Sequence, residues 1–140
     1  MRGQVRKAVG GGGIGFFIDN SLSHHLANGM RAFGEDVFHL TDCFPADVPD
    51  TTWLEYAGKK GLVVITKDER LRYNPAERAA LLEHKVGAFF MGGKNLNRCG
   101  QIQQAVRNWP KMKEFAKKTQ PPYAFRVPPR GTKFSRIPLP

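Results

Sequence analysis

Four short apolar runs constrain this chain most: IGFFI at 14–18, VFHL at 37–40, LVVI at 62–65 and AFFM at 88–91. Each is too short to be a helix buried along its length. Their apolar residues are consecutive rather than alternate, the pattern of strands covered on both faces inside a parallel sheet. The segments between them have helical character. Leu22, Leu26, Met30 and Phe33 recur at helical spacing, and Gly34 closes the run. After a loop at 41–49, TDCFPADVP, Asp50 opens TTWLEYAGKK, whose apolar side includes Trp53, Leu54 and Ala57 and which Gly61 stops. Asn74-Pro75-Ala76-Glu77 combines an N-cap, a proline in the first turn and a glutamate at N3. That helix runs to about Lys85. A last helix is predicted from about Asn97 to Asn108, with Pro110 restarting it through Lys118.

The order is βαβαβαβα. It predicts an α/β fold: a mostly parallel sheet of about four strands between two layers of helices, joined by right-handed crossovers. Residues 14–119 form that domain. Residues 1–13 read as a flexible leader with four glycines at Gly10 to Gly13. From Gln120 the texture changes, with six of the ten prolines at 121–140 among Arg126, Arg130, Lys133, Arg136, Tyr123, Phe125 and Phe134. Residues 120–140 are therefore expected to be an extended basic tail, with its aromatics available to strap it to the body.

The net charge of +10 is concentrated at the two ends. Residues 1–10 carry +3 and residues 111–140 carry +7, which leaves residues 11–110 neutral. Basic ends on a neutral body favour a polyanion, most simply RNA or DNA, over an acidic protein partner or a purely solubilising role. No apolar run approaches the ~20 residues of a membrane-crossing helix, so no membrane partner is expected. The first 13 residues lack the apolar core of a secretory signal. Cys43 and Cys99 lack C-x-x-C spacing and suit reduced thiols in the cytoplasm.

Two strands end in an acid, Asp19 after the first and Asp68 after the third. In a parallel sheet the carboxyl ends of neighbouring strands lie together, and ligands bind there. Asp50, at the start of the helix feeding the third strand, can join them. Three uncompensated carboxylates resist ionising together, and a divalent metal relieves that. Oxygen ligands suit Mg2+ or Mn2+ better than Zn2+. A metal held there beside basic ends suggests attack of water on a phosphodiester. Each acid has a plainer reading. Asp50 is also a good N-cap, Asp68 can cap a turn, and Glu69 can be solvated surface. Asp19 lacks a local role, because Asn20 and Ser21 can cap the next helix unaided.

Other signals are weaker. Gly10 to Gly13 and Gly15 precede their strand, contrary to a dinucleotide fingerprint, and Gly92-Gly93-Lys94 lacks the remaining P-loop residues. His24, His25, His39 and His84 lack metal-ligand spacing. Lys67, Arg70 and Arg72 flank the third acid and can hold phosphates, although a solvated charged loop explains them equally well.

FFIDNSLS, PDTTWLEYA and VVITKDERL, in that order, resemble the successive signatures of PIN-like ribonuclease domains, in particular the VapC-type toxins of bacterial toxin–antitoxin pairs. NPAERAAL, FFMGGK and PPYAFRVPPRG resemble that subgroup too, and the likeness covers roughly residues 14–130. It implies a PIN-like three-layer α/β/α fold, a metal-dependent endoribonuclease, an RNA substrate and a cognate antitoxin protein. Asp19, Asp50 and Asp68 would be the catalytic, metal-holding carboxylates. Asn20, Ser21 and Thr66 would support them. Such domains often carry a fourth acid near the third. Glu69 is the first choice here, with Glu55 and Asp47 as competitors for the helix position. Lys67, Arg70, Arg72, Lys133 and Arg136 are the RNA-contact candidates. A non-catalytic RNA-binding module on the same scaffold is the alternative, and a receiver-like phosphoaspartate domain is a third. The oligomeric state stays open, a homodimer included.

Overall fold

The computed structural model describes residues 13–139. The expected leader at 1–13 lies outside the described residues but for its last glycine.

The expected strands form at Phe16–Ile18 (β1), Val37–His39 (β2), Val63–Thr66 (β3) and Gly87–Met91 (β4). They are parallel, in the order β2-β1-β3-β4. The helices are His24–Ala32 (α1), a short turn at Leu40–Cys43 (α2), Asp50–Lys60 (α3), Pro75–Glu83 (α4) and Arg98–Lys118 (α5). A 3-10 turn spans Glu69–Arg72.

The consecutive apolar residues of the strands divide between two cores. Phe16, Ile18, Val63, Ile65, Phe89 and Met91 face one side, where Leu26 and Met30 of α1 and Ala105, Trp109 and Met112 of α5 cover them. Phe17, Val64, Ala88 and Phe90 face the other, under Trp53, Leu54 and Ala57 of α3 and Ala80 and Leu81 of α4. This double burial is why the strand sequences show no alternation. At ~25 cal/mol per Å2 of apolar surface, side chains of this size stabilise the fold by about 1.5–3 kcal/mol each.

Among the described residues the sheet has six strands rather than four. The two further strands lie where an extended tail is expected from sequence. Tyr123–Val127 (β5) pairs parallel with β4, and Ser135–Arg136 (β6) pairs antiparallel with β5. The prolines hide them, since they flank β5 on both sides while YAFRV between them is free to pair. The aromatics do fix this segment to the body: Phe125 stacks on Phe115 of α5 at 4.7 Å between ring centres, and Phe134 meets Phe89 edge-on.

Several local expectations change. The segment 41–49 begins with helical α2, closed by a capping box between His39 and Asp42, instead of an open loop. Pro110 does not split α5, which runs unbroken for 21 residues. The burial of Ala105, Asn108, Trp109 and Met112 outweighs the one backbone bond that proline removes. Ser23, and neither Asn20 nor Ser21, caps α1 by accepting from the His25 N–H at 3.0 Å. Phe33 lies at the end of α1, 82% exposed, and is no part of its apolar face.

Among the described residues no helix is long and apolar enough to cross a membrane.

Candidate active site

The chain leaves β1 through α1 toward β2 on one side, then returns through α3 to β3 on the other. The strand order therefore reverses between β1 and β3, and their carboxyl ends open onto a crevice. Ile18 and Ile65 are in register there, and the Asp19 N–H donates to the Ile65 carbonyl at 3.2 Å. The crevice is a cavity of about 240 Å3, and its walls include Asp19, Asn20, Ser21, Asp50, Asp68 and Arg70. The aspartates that follow β1 and β3 and the one that opens α3 thus share one cavity.

Asp19 is its buried member, 3% exposed. Both carboxylate oxygens are fixed. Oδ1 accepts from the Ser21 N–H at 3.1 Å and the Ser21 hydroxyl at 2.5 Å. Oδ2 accepts from the Thr66 hydroxyl at 2.6 Å. The turn after β1 is thus tied together by the acid itself, a local role that the sequence reading does not give it. Burial pushes the carboxyl up to about 6, against the hydrogen bonds of Ser21 and Thr66 and with a smaller contribution from the Asp68 charge. Thr66 and Ser21 also bind the next turn, accepting from the Asp68 and Lys67 N–H groups at 2.9 and 2.8 Å. Ser21 and Thr66 thus both hydrogen-bond Asp19 and the turn after β3, whereas Asn20 is exposed and lines the rim.

Asp50 is not a cap. Pro49 holds the N-cap position of α3, and Asp50 is the first helical residue. Its Oδ1 accepts the Trp53 indole N–H at 2.8 Å, which orients the carboxylate. Asp68 does cap, accepting from the Arg70 N–H at the start of the 3-10 turn. It also receives the Arg70 guanidinium on both oxygens, and this pairing holds its carboxyl below the usual range.

The other acids part company. Glu69 faces Arg126 and Arg72, at 2.8 and 2.7 Å. Burial alone would raise its carboxyl, but those two hydrogen-bonded cations outweigh it and hold it low. Glu55 pairs with Lys59, and Asp47 is exposed, both outside the cavity lining. Lys67 borders the site through its backbone, and Arg72 is held by Glu69. Arg136 packs over the Phe125 ring, and neither it nor Lys133 lines the cavity.

A family model described as PIN like domain matches residues 15–93, more than half of the chain, from β1 through β4. The chain belongs to that family. Comparison with curated proteins and with solved structures gives no match. The match carries a nuclease-type fold, and PIN domains are commonly nucleases. The strands β5 and β6 lie beyond the matched residues of this PIN-like domain.

Sequence reading misses one acid beside the site. Glu77, on the first turn of α4, neighbours Asp50 from outside the cavity lining, and its Oε1 is buried with no partner. Burial and the Asp50 charge push its carboxyl up to about 6. The motif Asn74-Pro75-Ala76-Glu77 assigns it to capping, and Asn74 alone satisfies that cap by accepting from the Ala76 and Glu77 N–H groups. No signal in the sequence sets it apart, because the acid beside it, Asp50, comes from α3.

The donor set suits a hard divalent cation. It is all oxygen, and beside it Glu77 carries a buried carboxylate oxygen with no partner. Among the described residues no group of three or more His, Cys, Asp or Glu side chains is arranged to hold a metal ion. Arg70 takes both oxygens of Asp68.

Proposed function

We propose that this PIN-like domain is a metal-dependent endoribonuclease and serves as a VapC-type toxin paired with a cognate antitoxin protein. The observation that carries the reading is Asp19: a buried carboxylate, fixed at both oxygens, opening onto a cavity shared with Asp50 and Asp68. Burying a carboxylate costs stability, and a fold keeps one at the mouth of a crevice for what it binds.

Asp19, Asp50, Asp68 and Glu77 would hold Mg2+ or Mn2+. When bound, the ion supplies an activated water and neutralises charge building on the phosphodiester. Ser21 and Thr66 keep Asp19 aimed, so its oxygens need no reordering at the moment of reaction. Trp53 does the same for Asp50. Arg70, on the turn after β3, lines the cavity and would meet a phosphate of the RNA there, with Lys67 nearby in the chain as a second candidate contact. The basic ends add sequence-independent affinity for RNA.

The nuclease is tested by incubating total RNA with the protein and Mn2+ or Mg2+. Cleavage that EDTA abolishes is expected, and intact RNA at every metal concentration would refute it. The toxin role is tested by induced expression in a bacterium. Growth arrest relieved by the product of a small adjacent reading frame is expected, and growth unaffected by an active nuclease would refute that part alone.

A further inference from the structure

We propose that Arg70 is a built-in competitor for the metal: its guanidinium must leave Asp68 for a divalent ion to bind, and it then holds a phosphate of the RNA. This rests on the metal-dependent nuclease reading above.

Arg70 and Asp68 form a fork. Nε donates to Oδ1 at 3.0 Å and a terminal nitrogen donates to Oδ2 at 2.9 Å. Oδ1 also accepts the Arg70 backbone N–H at 3.0 Å. Both Asp68 oxygens are therefore engaged, and a cation approaching from the cavity meets a charge already in place. Arg70 is the one basic residue lining that cavity among the described residues. It is one charge in a cavity that the three carboxylates of Asp19, Asp50 and Asp68 also line.

The fork is built to open. The Arg70 side chain is 78% exposed, so Asp68 rather than packing holds it in place. Exposed pairs of this kind are weak, and a divalent ion in the same cluster outcompetes a single guanidinium. Once released, the guanidinium stays at the cavity rim on a short turn, with its planar donors free for phosphate oxygens. A phosphate that keeps Arg70 off Asp68 favours the metal, and by linkage the metal favours the phosphate equally. The neighbouring Arg72 cannot take this part, because Glu69 holds it at 2.7 Å.

Mn2+ affinity is measured calorimetrically, or from the paramagnetic resonance of free Mn2+, on metal-stripped full-length protein. The proteins are wild type, Arg70→Gln, Arg70→Lys and, as a charge-matched control, Lys60→Gln in the exposed last turn of α3. Each titration is run with and without a single-stranded 2′-O-methyl RNA that cannot be cleaved. Arg70→Gln is expected to bind Mn2+ about tenfold more tightly than wild type, with Arg70→Lys between them and Lys60→Gln within about twofold of wild type. The oligonucleotide is expected to tighten Mn2+ binding in wild type by at least about threefold more than in Arg70→Gln. Equal Mn2+ affinity in wild type and Arg70→Gln, both folded by circular dichroism, would overturn the exchange and leave the metal site standing. Equal coupling to the oligonucleotide in both would overturn the phosphate half. No Mn2+ binding by either protein would overturn the metal site and the exchange with it.

Discussion

The Thr66 hydroxyl donates to Asp19 Oδ2 at 2.6 Å and accepts the Asp68 N–H at 2.9 Å, joining the ends of two adjacent strands through one oxygen. Thr66 is fully buried, so neither bond can be replaced by water. Thr66→Val keeps the shape and removes the donor and acceptor together. Hydrogen bonds to charged groups contribute ~1.5–3 kcal/mol, so the variant is expected to lose about that much stability at pH 8. The loss should shrink at pH 4.5, where Asp19 is protonated. Urea unfolding at the two pH values measures it, and an equal loss at both would place the bond's value elsewhere.

Asp19 makes the metal-free protein sensitive to pH in a defined direction. Its carboxyl titrates at about 6 in the fold, against an ordinary value of 3.8. Between those values the folded chain holds a proton that the unfolded chain has released. Stability from this group is therefore full below pH 4 and falls as pH rises through 6. Glu77, raised for the same reason, adds to the slope. Asp19→Asn removes the Asp19 part and is expected to stabilise the metal-free protein at pH 7 by about 2–3 kcal/mol. Thermal unfolding in EDTA from pH 4 to pH 8 reads both, and a wild type that gains stability over that range contradicts the assignment.

Asp50 and Glu77 are expected to act as a pair. Asp50→Asn keeps an acceptor for the Trp53 indole, so the helix start should survive while the charge is lost. Each of Asp50→Asn and Glu77→Gln is expected to lower metal-supported RNA cleavage about 10–100-fold without lowering metal-free stability. Glu69→Gln, which touches only the Arg72 and Arg126 side, should cost stability and leave cleavage within about threefold of wild type. Loss of cleavage in Glu69→Gln with full activity in Glu77→Gln would exchange their roles.

The end of the chain is part of the sheet, so truncating it removes packing along with charge. Ile137 is buried and its N–H donates to the Ala124 carbonyl at 2.8 Å, while Phe134 packs on Phe89 and Phe115. Deleting residues 131–140 is expected to destabilise the protein by ~2–4 kcal/mol. Neutralising charge alone, with Arg130→Gln and Lys133→Gln together, should keep the melting temperature and flatten the salt dependence of RNA binding by about two phosphate contacts. An unchanged salt slope would remove these residues from the RNA contact set.

The sequence and the structure agree where chemistry is local and diverge where it depends on who the neighbours are. Strands β1 to β4 are legible because consecutive apolar residues have one explanation in a chain of this length. Asp19 and Asp68 are legible as a pair because parallel neighbours present the same ends. β5 is not, because prolines surround a run whose only distinction is its partner β4. Glu77 is not, because Asn-Pro-Ala-Glu fully accounts for it as a helix start, and only the approach of α3 to α4 turns it toward Asp50. Glu69 misleads for the converse reason: adjacency to Asp68 in sequence puts it on the opposite side of a 3-10 turn, facing Arg126 of β5.

The most direct test of the account is cleavage of a single-stranded RNA by wild type and Asp19→Asn at pH 7.5, each with Mn2+ and with EDTA. The account predicts cleavage by wild type with Mn2+ alone, and a rate at least about 100-fold lower in a folded Asp19→Asn protein. Equal rates in the two proteins, or wild-type cleavage that persists in EDTA, would contradict it.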